Sequence, residues 1–378
     1  MMTPRTFDDR EPLRIAVSVD PNIPVPPTLY GGIERIVNFL VCELVARGHD
    51  VTLIAHPESR TPAKLVPYGV PPHVGTVLRL RELAQVSAAL LSRPRLDVVH
   101  SFGRLAALLP VLPRRRLAKV QSYQRDNTPW SSVRVAARLA GSSIAFTGCS
   151  TSVYADGPPG IGDWHTIFNG VDITKYTPTT AVAPDAPLVF LGRIESIKGT
   201  HHAIRIAAES GRRLVIAGNR VTTGPDAGYF EREVAPFLDG DRVTYVGSVD
   251  DAQKDALLGR AAAFLMPIEW DEPFGIVMAE ALACGTPVIG FRRGSVPEVV
   301  RDGINGFSCT SAAEAARLVA PAAALDRASV RADCEARFGH RVLVDQYEAL
   351  YRRVLARRRR EADARPRAPG PREVSIPP

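Results

Sequence analysis

The chain has 378 residues, a length typical of two domains of ordinary size. Hydrophobic residues make up 45% and charged residues 23% of it, which favours a globular fold over a disordered or fibrous one, and no apolar run reaches the ~18–20 residues that span a bilayer. The formal net charge is +7, but its basic runs contain no aromatic-interleaved nucleic-acid motif, so they are more typical of solvated surface than of a nucleic-acid site.

The first half of the chain alternates strands with helices, the pattern of a parallel sheet with helical crossovers. Residues 13–19 predict the first strand, and a proline-rich loop follows at 20–30. A helix is predicted over 32–47, because its apolar residues recur at i, i+3, i+4 and i+7. Further strands are predicted at 51–55, 97–100, 119–123 and 143–147.

A stretch rich in Pro, Thr and Ala at 177–187 predicts a linker, and the second half repeats the α/β pattern. We therefore predict two doubly wound, Rossmann-like domains over 12–180 and 186–338. A last helix is expected at 340–358, and the proline-rich residues 361–378 are expected to be disordered. The strands of the second domain are predicted at 188–192, 214–218, 243–247, 264–266 and 288–291, and its helices at 199–210, 251–259, 275–284 and 312–324.

Two carboxylates stand eight residues apart in a turn and the helix that follows it. Glu272 lies between a short apolar strand and the helix that begins near Gly275, and Glu280 lies inside that helix. The free amides of Phe274, Gly275 and Ile276 would attract a diphosphate, because a helix N-terminus favours anions. Glu280 could accept two hydroxyls of a ribose. The alternative is an ordinary strand–helix unit with two surface glutamates.

Cationic and glycine-rich loops end other predicted strands. Arg193 and Lys198 follow the first strand of the second domain and could clamp one diphosphate from two sides, unless they are simply surface charge. Lys198 is one of only five lysines among 47 basic residues. The pair Gly31–Gly32 opens the first helix and allows close approach to a phosphate, although a tight turn would need the same residues.

His100 ends the strand at 97–100, where it could bind a sugar hydroxyl or act as a packed core histidine. Five scattered cysteines without a CxxC pair predict a reduced, cytoplasmic protein, and the polar N-terminus predicts no signal peptide. No metal site is evident from the spacing of potential ligands.

The nineteen residues 272–290, EPFGIVMAEALACGTPVIG, closely resemble the signature of glycosyltransferase family 4. Residues 192–199 are similar to that family's G-R-x-x-x-x-K-G motif. The resemblance implies the two-domain GT-B fold, with the last helix crossing back to the first domain, and retention of anomeric configuration. It places Glu272 at the transferred sugar, Glu280 at the nucleotide ribose, and Arg193 with Lys198 at the leaving nucleoside diphosphate.

The resemblance extends to the other strand ends. It implies that Gly31 and Gly32 contact the donor diphosphate, and it gives the catalytic list Arg193, Lys198, Glu272 and His100. One departure leaves the sugar contact open, because many relatives carry a second histidine where this chain has Phe102. Donor contacts are implied near base and phosphate for Gly218, Asn219, Val246 and Gly247.

The expected function is therefore metal-independent transfer of a hexosyl unit from a UDP- or GDP-sugar to a hydroxyl acceptor by a front-face mechanism. No cofactor is expected. The acceptor is a small molecule, a glycan or a lipid-linked sugar, which leaves peripheral contact with the inner face of a membrane open. The base, the sugar and the acceptor are not fixed by the sequence. Alternatives are an epimerase or phosphorylase on the same fold, or a non-catalytic basic binding module.

Overall fold

The computed structural model describes residues 11–28, 31–69, 76–93 and 95–363, and it contains two parallel sheets joined by a linker. The first sheet has seven strands in the order β3-β2-β1-β4-β5-β6-β7. Every pairing in it is parallel. Its strands are β1 (Arg14–Ser18), β2 (Asp50–Ala55), β3 (Lys64–Pro67), β4 (Val98–Ser101), β5 (Ala118–Tyr123), β6 (Ile144–Gly148) and β7 (Trp164–Thr166).

The second sheet has six strands in the order β10-β9-β8-β11-β12-β13, again all parallel. This order repeats the first six places of the other sheet, so both halves follow the same doubly wound path. Its strands are β8 (Leu188–Leu191), β9 (Leu214–Ala217), β10 (Val243–Tyr245), β11 (Ala263–Met266), β12 (Val288–Phe291) and β13 (Gly306–Cys309).

Eleven α-helices connect and cover the strands in the described part of the chain. They are α1 (Gly32–Ala46), α2 (Thr76–Leu91), α3 (Trp130–Ala140), α4 (Thr200–Ser210), α5 (Tyr229–Glu233), α6 (Asp251–Gly259), α7 (Ile276–Ala283), α8 (Val296–Val299), α9 (Ala312–Ala323), α10 (Arg327–Phe338) and α11 (His340–Asp363). Short 3₁₀ turns add to these at 105–111, 141–143, 151–153, 173–175, 196–198 and 235–237. None of these helices is both long and apolar enough to cross a bilayer.

The direction of winding reverses between β1 and β4 in the first sheet and between β8 and β11 in the second. At such a switch point the connections leave to opposite faces, which opens a crevice beyond the carboxyl ends of the strands. Most of the predicted site residues lie at the ends of these four strands, and the others follow β9 and β10. The topology therefore gives each half one crevice, and the candidate site lies where the two crevices meet.

The last helix, α11, starts in the second half of the chain and packs on the first sheet. Its residues Leu343, Tyr347 and Tyr351 are buried in the same cluster as Val17 and Leu40. Arg47 follows the end of α1, and its Nη1 atom lies 3.0 Å from Oε2 of Glu348 on α11. The helix continues through Asp363, so the predicted start of disorder at 361 was wrong for residues 361–363. Residues 364–378, on which the rest of that prediction falls, lie outside the described part of the chain.

Candidate active site

The helix α7 begins at an uncapped turn that faces the space between the two sheets. Gly275, its N-cap, has φ 70°, a left-handed conformation that glycine adopts without the strain of a side chain. A Cβ atom there would lie 2.9 Å from Cε of Met278 and 3.1 Å from Cε of Met266. No side chain caps this helix start. Its first amides are therefore free to bind an anion, as the sequence predicts.

Lys198 and Glu272 form a close ion pair beside this helix start. The Nζ atom of Lys198 lies 2.5 Å from Oε2 of Glu272, and the two side chains are only 16% and 15% exposed. The indole Nε1 of Trp270 donates to the same oxygen at 3.1 Å. The ammonium group lies 4.5 Å from the centroid of the Trp270 ring. Two residues predicted from separate motifs, 74 positions apart, therefore meet at one point.

The loop after β8 holds Lys198 in place through backbone packing. Residues 196–198 form a 3₁₀ turn that ends at Gly199, whose φ is 75°. A Cβ atom at Gly199 would lie 1.9 Å from the carbonyl oxygen of Pro267, so only glycine lets the two loops approach this closely. In addition, the amide of Glu269 donates to the carbonyl of Ile197 at 2.8 Å. The loops that follow β8 and β11 are thus fixed to each other.

Arg193 lies on the same loop but does not join the Lys198 pair. Its Nη2 atom is 2.8 Å from Oε1 of Glu195, and its side chain is 51% exposed. The guanidinium is therefore accessible, with one side held by a carboxylate. The loop after β8 therefore carries one partly buried cation, Lys198, beside the start of α7 and one exposed cation, Arg193.

Glu280 is buried and is held by two donors that the motifs did not predict. Its Oε1 atom accepts from the hydroxyl of Tyr176 at 2.7 Å and from Nζ of Lys254 at 2.6 Å. Burial, together with the neighbouring charge of Glu280, raises the pKa of Tyr176, which therefore remains a donor at neutral pH. The rarity of lysine was the only sequence signal that could have identified Lys254.

A chain of charges leads from Glu280 across the cleft to the first domain. Lys254 lies 3.2 Å from Asp251, and Asp251 lies 3.4 Å from the guanidinium of Arg35 on α1. Arg35 belongs to the helix that Gly31 and Gly32 open. A Cβ atom at Gly32 would lie 3.3 Å from Cδ1 of Ile276. The starts of α1 and α7 therefore face each other across the cleft.

The predicted donor residues at the ends of β9 and β10 are tied to the Arg193 loop. The amide of Gly218 donates to the carbonyl of Gly247 at 2.8 Å, and the amide of Ile194 donates to the carbonyl of Asn219 at 2.8 Å. The hydroxyl of Ser248 donates to the side-chain oxygen of Asn219. Val246 is 52% exposed. The structure thus groups these four predicted positions with the strand end that carries Arg193.

Phe274 contributes only its backbone to the site. Its side chain is 2% exposed and packs against Phe338 at 5.6 Å and Phe168 at 6.1 Å between ring centroids. Its carbonyl accepts from the hydroxyl of Ser295 at 2.8 Å. A side-chain contact of Phe274 with the donor is therefore excluded, because the ring lies inside the core that supports α7.

The structure contradicts the catalytic role predicted for His100. The residue is 0% exposed, and its ring nitrogens lie 2.6 Å from the hydroxyl of Tyr351 and 2.7 Å from that of Ser122. Phe102 packs on its ring at 4.2 Å between centroids. Helix α11 thus covers the end of β4. His100 is the packed core histidine that the sequence left as the alternative.

We expect His100 to make the protein sensitive to acid. Burial lowers its pKa from 6.5 to about 3, so the unfolded chain binds one more proton than the folded chain between these pH values. The free energy of unfolding should therefore fall as the pH drops from 6.5 towards 3, by at most about 5 kcal/mol from this group. His100→Gln should flatten that slope in urea unfolding series at several pH values. His56→Gln, at a partly exposed position, is the control, and equal slopes in wild type, His100→Gln and His56→Gln would contradict this prediction.

A second set of contacts joins the two domains beside α7. The carboxylate of Glu298 accepts from the amides of Thr151 and Ser152 at 2.8 and 3.1 Å. The hydroxyl of Ser150 donates to the carbonyl of Pro273 at 2.5 Å. The loop after β6 is therefore docked on the segment that carries Glu272. Two facing doubly wound sheets, with glycine-rich and cationic loops at their strand ends, define the GT-B architecture.

Comparison with known proteins supports this class independently. Residues 31–144 match the family described as "Glycosyl transferase 4-like domain", and residues 179–332 match "Glycosyl transferases group 1". The chain is 28% identical to a glycogen synthase of Mycobacterium tuberculosis, over 91% of this chain and 95% of that protein. It is also 28% identical to the alpha-maltose-1-phosphate synthase of that organism, over 88% of this chain and 97% of that protein.

Solved structures agree with the sequence matches. AviGT4, a glycosyltransferase involved in avilamycin A biosynthesis, aligns with a TM-score of 0.66 and 26% identity, covering 91% of this chain and 98% of its own. The chain therefore belongs to the glycosyltransferases of the family 4 type with the GT-B fold. This confirms the family and the fold class that the motifs predicted.

Proposed function

We propose that this glycosyltransferase transfers a hexosyl unit from a nucleoside diphosphate sugar to a hydroxyl acceptor with retention of configuration. The observation that carries the proposal is the partly buried Lys198–Glu272 pair beside the uncapped start of α7. An ammonium group and free helix amides suit a diphosphate, whereas a carboxylate beside them suits sugar hydroxyls. Groups suited to the diphosphate and a group suited to the sugar therefore lie side by side at the start of α7.

Catalysis in this proposal depends on neutralising the leaving diphosphate. Negative charge grows on the diphosphate as its bond to the anomeric carbon breaks. In this proposal Lys198, Arg193 and the amides of α7 supply the positive charge that offsets it. Fixed cations can supply the charge that Mg²⁺ supplies in other phosphate-leaving reactions. We therefore propose that the chemical step needs no metal ion.

The acceptor proton has a defined destination in the front-face mechanism. The acceptor oxygen bonds to the anomeric carbon on the face that the diphosphate leaves, and its proton passes to the departing phosphate oxygen. Glu272 and Glu280 each accept a short hydrogen bond from a lysine ammonium group, and the proposal assigns them to the sugar and the ribose rather than to this proton. The leaving group itself is then the base, which is consistent with retention.

We assign the nucleotide ribose to Glu280. Among the described residues, its hydrogen bonds from Tyr176 and Lys254 both fall on Oε1. The two donors orient the carboxylate, and Oε2 is the oxygen that we assign to a ribose hydroxyl. Gly218 and Gly247 follow the carboxyl ends of β9 and β10, at the same end of the sheet as Arg193. We assign the nucleotide base to these positions.

Uridine or guanosine diphosphate sugars are the donors we expect, with uridine first, and the cytoplasm is the expected location. Peripheral contact with a membrane stays a prediction tied to a lipid-linked acceptor. Relatives named glycogen synthase and alpha-maltose-1-phosphate synthase favour a glucosyl donor within this class. Glucosyl donors on three bases are therefore the first compounds to test.

A thermal-shift screen against UDP-, GDP- and ADP-glucose tests the donor directly. A ligand present at 100 times its Kd stabilises the fold by about 2.7 kcal/mol, so the correct nucleotide should raise Tm measurably while the others do not. NMR of the product should then show the anomeric configuration of the donor, and EDTA should leave kcat unchanged at saturating donor. An inverted product, or sugar release that depends on orthophosphate, would contradict the proposal and in the second case indicate a phosphorylase.

A further inference from the structure

A group of potential metal ligands lies next to the Lys198 loop, although the sequence predicted none. His201 and His202 stand in the first turn of α4, and Glu269 follows β11. One candidate ligand atom from each residue lies within 4.8 Å of the other two. The spacing of 67 residues between His202 and Glu269 hides the group in the sequence. The fold forms it by placing the loops after β8 and β11 side by side.

The geometry suits a tetrahedral ion after small side-chain movements. Nε2 of His202 lies 3.0 Å from one oxygen of Glu269, and Nε2 of His201 lies 4.0 Å from the other. Metal–ligand bonds of about 2.0–2.1 Å imply ligand separations of roughly 3.3 Å, which lies between these two distances. The three side chains are 29%, 25% and 45% exposed, so an ion can enter and keep a water ligand.

A neighbouring hydroxyl orients the first histidine. The hydroxyl of Tyr229 lies 2.7 Å from Nδ1 of His201 and also accepts from the His201 amide at 3.1 Å. A partner on the second ring nitrogen is the usual feature that directs Nε2 of a ligating histidine towards its metal.

We propose that His201, His202 and Glu269 bind one divalent transition ion of the zinc type. Two imidazoles and one carboxylate form a ligand set that zinc accepts, whereas magnesium and calcium prefer oxygen ligands. The ion ties the first turn of α4 to the segment that continues into Trp270 and Glu272. The site is independent of the proposed donor and acceptor, and it supplies no step of the transfer.

Calorimetric titration of the metal-free full-length protein with Zn²⁺ tests the proposal. The absorption spectrum of bound Co²⁺ reports the geometry of the site. We expect one ion per chain and visible bands of a four- or five-coordinate Co²⁺ ion without thiolate charge-transfer absorption. His201→Gln and His202→Gln should each weaken binding at least about 100-fold. Tyr229→Phe, which removes only the orienting hydroxyl, should weaken it about 10–100-fold.

The matched control is His165→Gln, because His165 also lies 3.2 Å from a carboxylate, that of Asp163, but belongs to no group of three potential ligands among the described residues. It should bind zinc as the wild type does. Unfolding of the metal-free variants separates loss of ligation from loss of fold, and Glu269→Gln offers a ligand variant at the most exposed position. The proposal is overturned if wild-type protein binds no zinc at micromolar concentration, or if His201→Gln and His202→Gln bind it as tightly as the control.

Discussion

Lys198→Ala should lower kcat by about 10²–10³, the usual effect of removing one preorganised group that stabilises charge in a transition state. The Lys198 side chain is partly buried, and its ammonium group is held by Glu272 and the Trp270 ring beside the start of α7. Such a charge needs no reorganisation when the diphosphate leaves. Because its contribution grows with the developing charge, the loss should appear in kcat more than in the donor KM.

The same substitution should also cost stability, and the experiment must separate the two effects. Without Lys198, the carboxylate of Glu272 keeps only the indole donor of Trp270 in a site that is 15% exposed. Removing one partner of a largely buried ion pair costs up to about 3 kcal/mol of unfolding free energy. Rates should therefore be measured well below the Tm of the variant, with the folded fraction determined by circular dichroism.

Lys64→Ala is the control for Lys198→Ala, because Lys64 is an exposed lysine at the start of the edge strand β3. It should have wild-type kinetics and nearly wild-type stability. Arg193→Ala should lower kcat less than Lys198→Ala does, since its guanidinium is half exposed and partly screened. Wild-type turnover in folded Lys198→Ala protein would remove Lys198 from the mechanism.

The donor-side residues that the sequence singled out come close together in the structure because their motifs are local. Glu272 and Glu280 lie within one strand–turn–helix unit, and Arg193 and Lys198 lie within one loop. Short-range rules on helix starts, turns and strand ends therefore apply to them directly. The meeting of Lys198 with Glu272 follows from the doubly wound order, which places β8 next to β11.

The errors arose where distant segments decide the environment of a residue. His100 stands at a strand end, a position typical of site residues, but Tyr347 and Tyr351 arrive from about 250 positions later and seal it. Whether a strand end is open or covered depends on the path of α11, which no local pattern around His100 encodes. Tyr176, Lys254 and Glu269 were missed for the same reason, because their partners come from other elements.

Edge elements were also missed, because their signals are weak. The strand β3 has four residues, none of them fully buried, and β7 has three half-buried residues. Neither contains the alternation or the long apolar run that a strand prediction needs. Central strands such as β8 and β11, which are largely buried, had continuous apolar runs and were located to within a few residues.

Glu280→Ala should raise the donor KM by about 10–100-fold and change kcat much less. A hydrogen bond from a ribose hydroxyl to a carboxylate is worth about 1.5–3 kcal/mol. That contact is the same in ground state and transition state, so its loss weakens binding uniformly. The donor KM is measured from initial rates at varied concentrations of UDP- or GDP-sugar. The nucleotide Kd is measured by calorimetry with the free nucleoside diphosphate. An unchanged KM and an unchanged nucleotide Kd would exclude the ribose role.

Loss of Lys254, the lysine beside Glu280, should instead affect stability more than donor binding. Lys254→Met keeps the volume of the side chain but leaves the carboxylate of Glu280, which is 7% exposed, with Tyr176 as its one remaining donor among the described residues. We expect a loss of about 3 kcal/mol in unfolding free energy. Glu280→Ala leaves Lys254 paired with Asp251 at 3.2 Å, and it should cost less.

The double variant Lys254→Met/Glu280→Ala then isolates the coupling of the pair. We expect it to be about as stable as Glu280→Ala alone, because Lys254 has little left to stabilise once the carboxylate is gone. Its donor KM should also equal that of Glu280→Ala, since Lys254 acts through the carboxylate and not on the ribose. Additive losses of stability would show that the two side chains act independently. A donor KM far above that of Glu280→Ala would instead mean that Lys254 binds the nucleotide itself.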